Sequence, residues 1–229
     1  MNPARYIDLQ QKDYKETWDF QQEIQDRLVR AKVAGNDPGA LPCLIFVEHP
    51  HVYTLGKSGK ENNLLINPEF LSSIRATYYR TDRGGDITYH GPGQLVGYPV
   101  FDLEPLGLGV KNYIFKLEES IIQTLLAFNI HAARLEGATG VWIIPDNQPS
   151  IRKVCAIGVK ISRGVTMHGF ALNVNTDLKY FSYINPCGYT DKGVTSIEKE
   201  TGSRADMEKV KQILSQKIAD QFGLELQPA

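Results

Sequence analysis

Residues 83–99 read Arg83-Gly84-Gly85-Asp86-Ile87-Thr88-Tyr89-His90-Gly91-Pro92-Gly93-Gln94-Leu95-Val96-Gly97-Tyr98-Pro99. The first twelve positions hold four glycines, a proline, an arginine and a histidine, with β-forming residues set between them. Glycine packs nothing and costs backbone entropy, so this density suits a backbone that turns sharply or lies against another molecule. The stretch reads as a loop-strand-loop wall of a ligand site, followed by a second strand over 95–101.

Outward from that wall, helical and extended patterns alternate without an internal repeat. Tyr14, Trp18, Gln21, Ile24, Leu28 and Ala31 recur at helical spacing after a short strand near 6–9, and Asn36-Asp37-Pro38-Gly39 is the expected stop. Strands are predicted at 44–48, 52–55, 76–80 and 86–89, with a short helix opened by Asn67-Pro68. A long helix over 110–128 is carried by Tyr113, Ile114, Leu117, Ile121, Leu125 and Phe128. Further strands are predicted at 141–144, 153–162 and 165–174, then a final helix over 206–222 capped by Asp206. Hairpin-like pairs beside long helices indicate an α+β (mixed α/β) fold: a single domain with a mixed β-sheet flanked by helices, its core at about 5–200.

The chain has 229 residues, 42% hydrophobic and 22% charged, with a formal net charge of -1. That is ordinary for a globular domain and leaves no electrostatic footprint for nucleic acid or an anionic membrane. No apolar run approaches the roughly 18 residues of a membrane span, and the first residues have no signal-like apolar core. A cytoplasmic location is the expectation. Cys43, Cys155 and Cys187 are three, far apart and without a C-x-x-C pair, which disfavours a disulfide framework or a structural zinc site. Cys43 and Cys155 sit in apolar strands and read as core residues. Cys187 lies in Asn185-Pro186-Cys187-Gly188-Tyr189, a turn signature.

Among the cations, Lys153 opens an otherwise apolar strand, and a solvated strand end is its ordinary reading. Lys160, next to the polar turn Ser162-Arg163-Gly164, carries that ordinary reading more strongly. His90 and His168 could each touch a substrate or brace two loops. His49 and His51 could share a strand face, but no third metal ligand stands near them in the sequence. His131 suggests no role. Arg83 could pair with an acid or phosphate of a partner, or with an internal carboxylate.

Four ordered segments carry a resemblance. They are His49-Pro50-His51-Val52-Tyr53-Thr54-Leu55-Gly56, the glycine-rich run, Lys153-Val154-Cys155-Ala156-Ile157-Gly158-Val159 with Met167-His168-Gly169-Phe170-Ala171-Leu172-Asn173-Val174-Asn175, and Asn185-Pro186-Cys187-Gly188. Together, over about 45–190, they resemble the lipoyl(octanoyl) transferase family. The resemblance implies the catalytic-domain fold shared with biotin and lipoate protein ligases. It also implies transfer of an octanoyl group from acyl carrier protein to a lysine of a lipoyl-accepting protein. Such acceptors are the lipoyl domains of 2-oxoacid dehydrogenase complexes and the glycine cleavage H protein.

Carried over position by position, the resemblance puts the acyl-thioester nucleophile on Cys187 and its lysine partner on Lys153. It puts substrate contacts on Arg83, Gly84, Gly85, Asp86, Ile87, Thr88, Tyr89 and His90, on Ala156, Ile157 and Gly158, and on Gly169, Phe170 and Ala171, with His168 in support. Cys155 stands where the family commonly has another small residue, and adds a thiol near the site. Amide formation from a thioester is downhill, so neither ATP nor a metal is expected. An ATP-dependent ligase of the same fold, or a module that only binds acyl carrier, is the alternative.

Overall fold

The computed structural model describes residues 2–35, 41–144, 150–185 and 192–228. Strand β1 (Asn2–Gln11) leads into helix α1 (Tyr14–Ala34), whose first N–H groups are capped by the Asp13 carboxylate and which ends at Gly35 in left-handed conformation. The predicted stop at 36–39 lies outside the described residues. Next come β2 (Cys43–Glu48), β3 (Val52–Leu55), α2 (Pro68–Ser73), β4 (Thr77–Arg80), β5 (Ile87–His90) and β6 (Gln94–Val100). Helix α3 (Val110–Leu126) is followed by β7 (Ala133–Leu135), β8 (Ala138–Ile143), β9 (Arg152–Ser162) and β10 (Val165–Asn173). After a 3-10 segment, Leu178–Tyr183, the chain closes with β11 (Gly193–Val194), α4 (Ile197–Thr201), α5 (Met207–Phe222) and β12 (Leu224–Pro228).

The main sheet runs β12-β1-β2-β6-β10-β9-β8-β7, with β11 also on β9, and it is mixed. β1 pairs in parallel with both β12 and β2, and β11 with β9, while the other neighbours are antiparallel. A second sheet, β4-β3-β5, carries the strand of the glycine-rich run. One face of the main sheet packs on α3 and α5 through Leu117, Ile121, Leu125, Val210, Leu214 and Ile218. The other face meets α1 around Leu28, Ile45, Val96 and Ala171.

These are the α+β class and mixed sheet that the hydrophobic pattern implies. The core, however, runs past residue 200, because α5 fills it and β12 covers the edge of β1. Strands β7, β11 and β12 and helix α4 go unread in the sequence, being two to five residues long. On α1 the buried positions are Tyr14, Thr17, Gln21, Gln25 and Leu28, so the inner face is more polar than the Trp18 and Ile24 stripe suggests. Its amides are satisfied: Gln25 Nε2 donates to the Val165 carbonyl at 2.9 Å, and Gln21 Oε1 accepts from the His168 N–H at 3.0 Å.

Gly97 on β6 sits between Phe46 on β2 and Phe170 on β10, whose rings meet edge to face with centroids 6.2 Å apart. A Cβ on Gly97 would stand 2.1 Å from the Phe170 ring, and one on Gly169 would stand 2.1 Å from the Gly97 carbonyl oxygen. A ring can be displaced but a laddered carbonyl cannot. Gly169→Ala is therefore expected to destabilise the fold by more than the roughly 1–3 kcal/mol of ordinary overpacking, and Gly97→Ala by an amount within that range. Urea midpoints check both, and a Gly169→Ala protein as stable as the wild type would contradict the close approach.

Candidate active site

A cavity of about 590 Å³ opens between β6, β9 and β10 of the main sheet and the glycine-rich run. Its rim is formed by exposed or half-buried residues, among them Gly137, Thr139, Lys153, Ser182, Asn185 and Lys192. Its opposite end is formed by the buried Tyr14, Arg83, His90, Tyr98 and His168. Apolar wall lies between, from Ile87, Val96, Ala156, Ile157, Phe170 and Ala171.

The strand register explains why the rim and the floor differ. Gln94 is opposite Asn173 and Val96 opposite Ala171, while Cys155 is opposite Leu172 and Val159 opposite His168. Lys153 and Asn173 thus share one end of the wall, and His168 marks the other. Trp142 on β8 is the ladder partner of Lys153, and the lysine Nζ lies 4.4 Å from the centre of its indole ring. Cross-strand partners share a face, so the ammonium is held against the negative face of a buried aromatic ring.

Lys153 thus lines the cavity rather than ending in open solvent. Lys160 stands on β9 as the strand prediction has it, but it is half-buried rather than solvated: its Nζ pairs with Asp82 at 2.7 Å and Gln22 Oε1 at 3.0 Å. Cys187 lies outside the described residues, but the flanks of its segment, Asn185 and Lys192, both line the cavity. Cys155 is fully buried, and desolvation drives its thiol far above the usual range, so it offers no second reactive sulfur.

Of the predicted contact residues, Arg83, Gly85, Asp86, Ile87, Thr88, His90, Ala156, Ile157, Gly158, Gly169, Phe170, Ala171 and His168 line the cavity. Gly84 and Tyr89 do not. Gly84 is laced to β9 by its N–H on the Val159 carbonyl at 2.9 Å, and Tyr89 is packed into the second sheet, its hydroxyl 2.8 Å from His51 Nδ1. Alternation along β5 sends Tyr89 away from the flank of Thr88 and His90. Gly93, at φ +79°, places its N–H 2.7 Å from the Glu48 carboxylate, so neither it nor Gly84 offers that donor to an oxyanion.

Arg83 lines the cavity. It is buried, and its Nη2 donates to the Thr54 carbonyl at 2.6 Å and to Thr54 Oγ1 at 2.9 Å. From there a polar chain crosses the wall. The Thr54 hydroxyl is 3.5 Å from His90 Nε2, and His90 Nδ1 is 2.8 Å from Gln94 Oε1. Gln94 Nε2 donates to the Tyr89 carbonyl and to Asn173 Oδ1, so its Oε1 must accept from His90 Nδ1–H. Asn173 Nδ2 then donates to the Thr195 carbonyl at 2.9 Å, and the Thr195 N–H to the Lys153 carbonyl at 2.9 Å. Gln94, Asn173, Tyr98, Trp142 and Tyr14 also line the cavity, and the sequence signals only the first two, as a glutamine and an asparagine inside otherwise apolar strands.

His168 is held in left-handed backbone, φ +58°, in the middle of β10. Regular alternation would put it with Phe170 and Leu172 on the α3 and α5 face. Instead its ring meets Trp18 of α1 at 6.0 Å, and its Nε2 is 2.9 Å from Asp82 Oδ1. The His168 hydrogen bond holds the Asp82 carboxyl well below the usual carboxylate range, while burial lowers His168 and keeps it neutral, donating through Nε2–H. Both ring nitrogens of His49 are also engaged, Nδ1 with the Lys12 carbonyl and Nε2 with the Tyr98 hydroxyl, each at 2.8 Å, which disfavours a metal-ligand role.

The chain belongs to the lipoyl protein ligase A/B catalytic domain family, whose family model matches residues 13–219. Relatives of high identity within it are octanoyltransferases. That of Bacteroides fragilis is 56% identical over 205 residues, 90% of this chain and 91% of the relative. That of Cytophaga hutchinsonii is 51% identical over 223 residues, 94% and 91% of the two chains. Among solved structures, a bipartite lipoate protein ligase from Thermoplasma acidophilum superposes with a TM-score of 0.71 at 15% identity, covering 100% of this chain and 87% of that one, a likeness of fold.

Burial lowers three histidines of this region, His49 to about 4 and His90 and His168 in the same direction. The unfolded chain takes up these protons near pH 6.5 and the folded chain does not. The stability is fully present above that pH and is lost as pH falls toward about 4, with about 3 kcal/mol for His49 alone. Denaturant unfolding at pH 7 and pH 5 is expected to show a marked loss at the lower value; equal midpoints would mean that these rings are protonated in the fold.

Proposed function

We propose that this protein is an octanoyltransferase. It takes an octanoyl group from the thioester of acyl carrier protein and delivers it to the ε-amine of a lysine on a lipoyl-accepting domain. The observation that carries the reading is the 56% identity over 90% of the chain to an octanoyltransferase. An apolar-walled cavity with a cationic rim, lined by Lys153 and by both flanks of the Cys187 segment, supports it.

In this reading Cys187 and Lys153 act as a pair. A free thiol near pKa 8.5 is only a few per cent thiolate at neutral pH, and an ammonium beside it raises that fraction. The thiolate attacks the carrier thioester, the acyl-cysteine bond forms, and the carrier leaves as its own thiolate, which takes a proton. Acylation removes the anion that favoured the charged lysine, so Lys153 now sheds a proton more easily. It acts as general base toward the incoming lysine amine, of which roughly one in two thousand is neutral at pH 7. Collapse of the tetrahedral adduct forms the amide and returns the cysteine sulfur.

The trade of thioester for amide consumes no ATP, which separates this activity from that of a ligase. Ile87 and the segments 156–158 and 169–171 hold the acyl chain and keep water off the thioester, with Arg83 and His90 at the polar end of the cavity. Acceptors are lipoyl domains of 2-oxoacid dehydrogenase complexes and the glycine cleavage H protein, and the whole chain acts as one catalytic domain in the cytoplasm.

Incubation with octanoyl carrier is expected to add the mass of one octanoyl group to the protein, and Cys187→Ser to abolish the adduct. Lys153→Ala is expected to lower kcat/KM by at least about 100-fold, with a much smaller loss for Lys160→Ala. Full transfer by Cys187→Ser would end the covalent mechanism, and equal losses at the two lysines would mean that the wrong one has been assigned. Octanoate-dependent exchange of pyrophosphate into ATP would favour the ligase reading instead.

A further inference from the structure

An eight-carbon chain needs an apolar wall, yet the cavity ends in polar side chains. At that end Tyr14 is 2% exposed and His168 1%, whereas Gly137, Thr139 and Ser182 toward the Lys153 end are exposed. The Tyr14 hydroxyl, on a nearly fully buried side chain that lines the cavity, makes no hydrogen bond with any described residue. Its ring is fixed by stacking on His90, with centroids 5.8 Å apart, and on Tyr79, at 5.7 Å. Trp18 packs against both the Tyr14 ring and that of His168, whose left-handed backbone turns an imidazole onto the cavity side of the sheet. Strain of that kind costs stability and persists only where the surroundings enforce it. Asp82 holds Nε2 of that ring, and Nδ1 has no hydrogen-bond partner among the described residues.

The length of the wall fits. From Lys153 to Gly158 along β9 is five residues, about 16 Å. An extended eight-carbon acyl group spans about 9 Å, at C–C bonds of about 1.5 Å and near-tetrahedral angles. The lysine side chain at one end and the tyrosine and histidine at the other occupy most of the remainder.

We propose that Tyr14 and His168 form a polar end-stop that sets the length of the acyl chain this cavity accepts. The inference rests on the octanoyl-transfer reading. A chain whose methyl group halts short of the two groups leaves them hydrated. Two more methylenes, about 2.5 Å, press alkane against a hydroxyl and a ring nitrogen that gain nothing in exchange. The longer chain loses affinity through stranded polar groups, as well as through lack of room.

The test is a comparison of kcat/KM with octanoyl, decanoyl and 8-hydroxyoctanoyl carrier thioesters for wild type and Tyr14→Phe, which removes one oxygen and keeps both ring stacks. Tyr14→Phe is expected to raise the decanoyl-to-octanoyl ratio about tenfold and to lower the 8-hydroxyoctanoyl-to-octanoyl ratio. His168→Asn, a residue that tolerates left-handed backbone, is expected to raise the decanoyl ratio as well, and carries the test alone should Tyr14→Phe not fold. If wild type transfers octanoyl and neither variant changes the ratios, the end-stop is refuted while the transfer reading stands. If wild type transfers no octanoyl at all, the transfer reading fails and takes the end-stop with it.

Discussion

The contact between β6 and β10 at Gly97 and Gly169 is the constraint on which the site rests. With no side chain on either, the strands lie close enough for Phe46 and Phe170 to meet across Gly97 and seal the face toward α3 and α5. On the other face the same register sets Gln94 beside Asn173 and Val96 beside Ala171, which forms the floor-to-rim wall of the cavity. A single methyl at Gly169 would collide with backbone, so packing on one side of the sheet governs chemistry on the other.

The wall then separates two electrostatic environments. At the rim, Lys153 is held by Trp142, and Lys192 stands nearby on the same cavity. Toward the floor, His90 and His168 are neutral because burial disfavours their charged forms, and each is oriented by a partner, Gln94 or Asp82. The hydrogen-bonded chain from Arg83 through Thr54, His90, Gln94 and Asn173 to the backbone of Lys153 ties the two ends together. A buried network of this kind is strong only when its members are satisfied, and the amide orientations of Gln94 and Asn173 meet that condition link by link.

The helices and the longer strands were legible because their periodicities are local: α3 shows its Tyr113, Leu117, Ile121 and Leu125 stripe without help from the rest of the chain. Strand β12 was not, because five residues with one buried side chain carry no pattern until β1 lies beside them. The same holds within the site. The glycine-rich run announced a wall, and most of its residues do line the cavity, but Tyr89 and Gly84 belong to packing behind it. That the buried Arg83 braces Thr54 is set by a residue twenty-nine positions away in the chain, which no local pattern announces. Tyr14 read as one member of an amphipathic stripe; its hydroxyl on the cavity depends on where α1 crosses the sheet.

From the sequence alone came the α+β class and the wall-forming stretches, because turn chemistry, side-chain period and motif order are all encoded over short spans. Which residues of those stretches face the cavity, which lysine stands at the rim against Trp142, and that the floor is polar were decided by tertiary structure. Each depends on cross-strand register and on one residue, His168, leaving the alternation of its strand, and neither is fixed by neighbours in the chain.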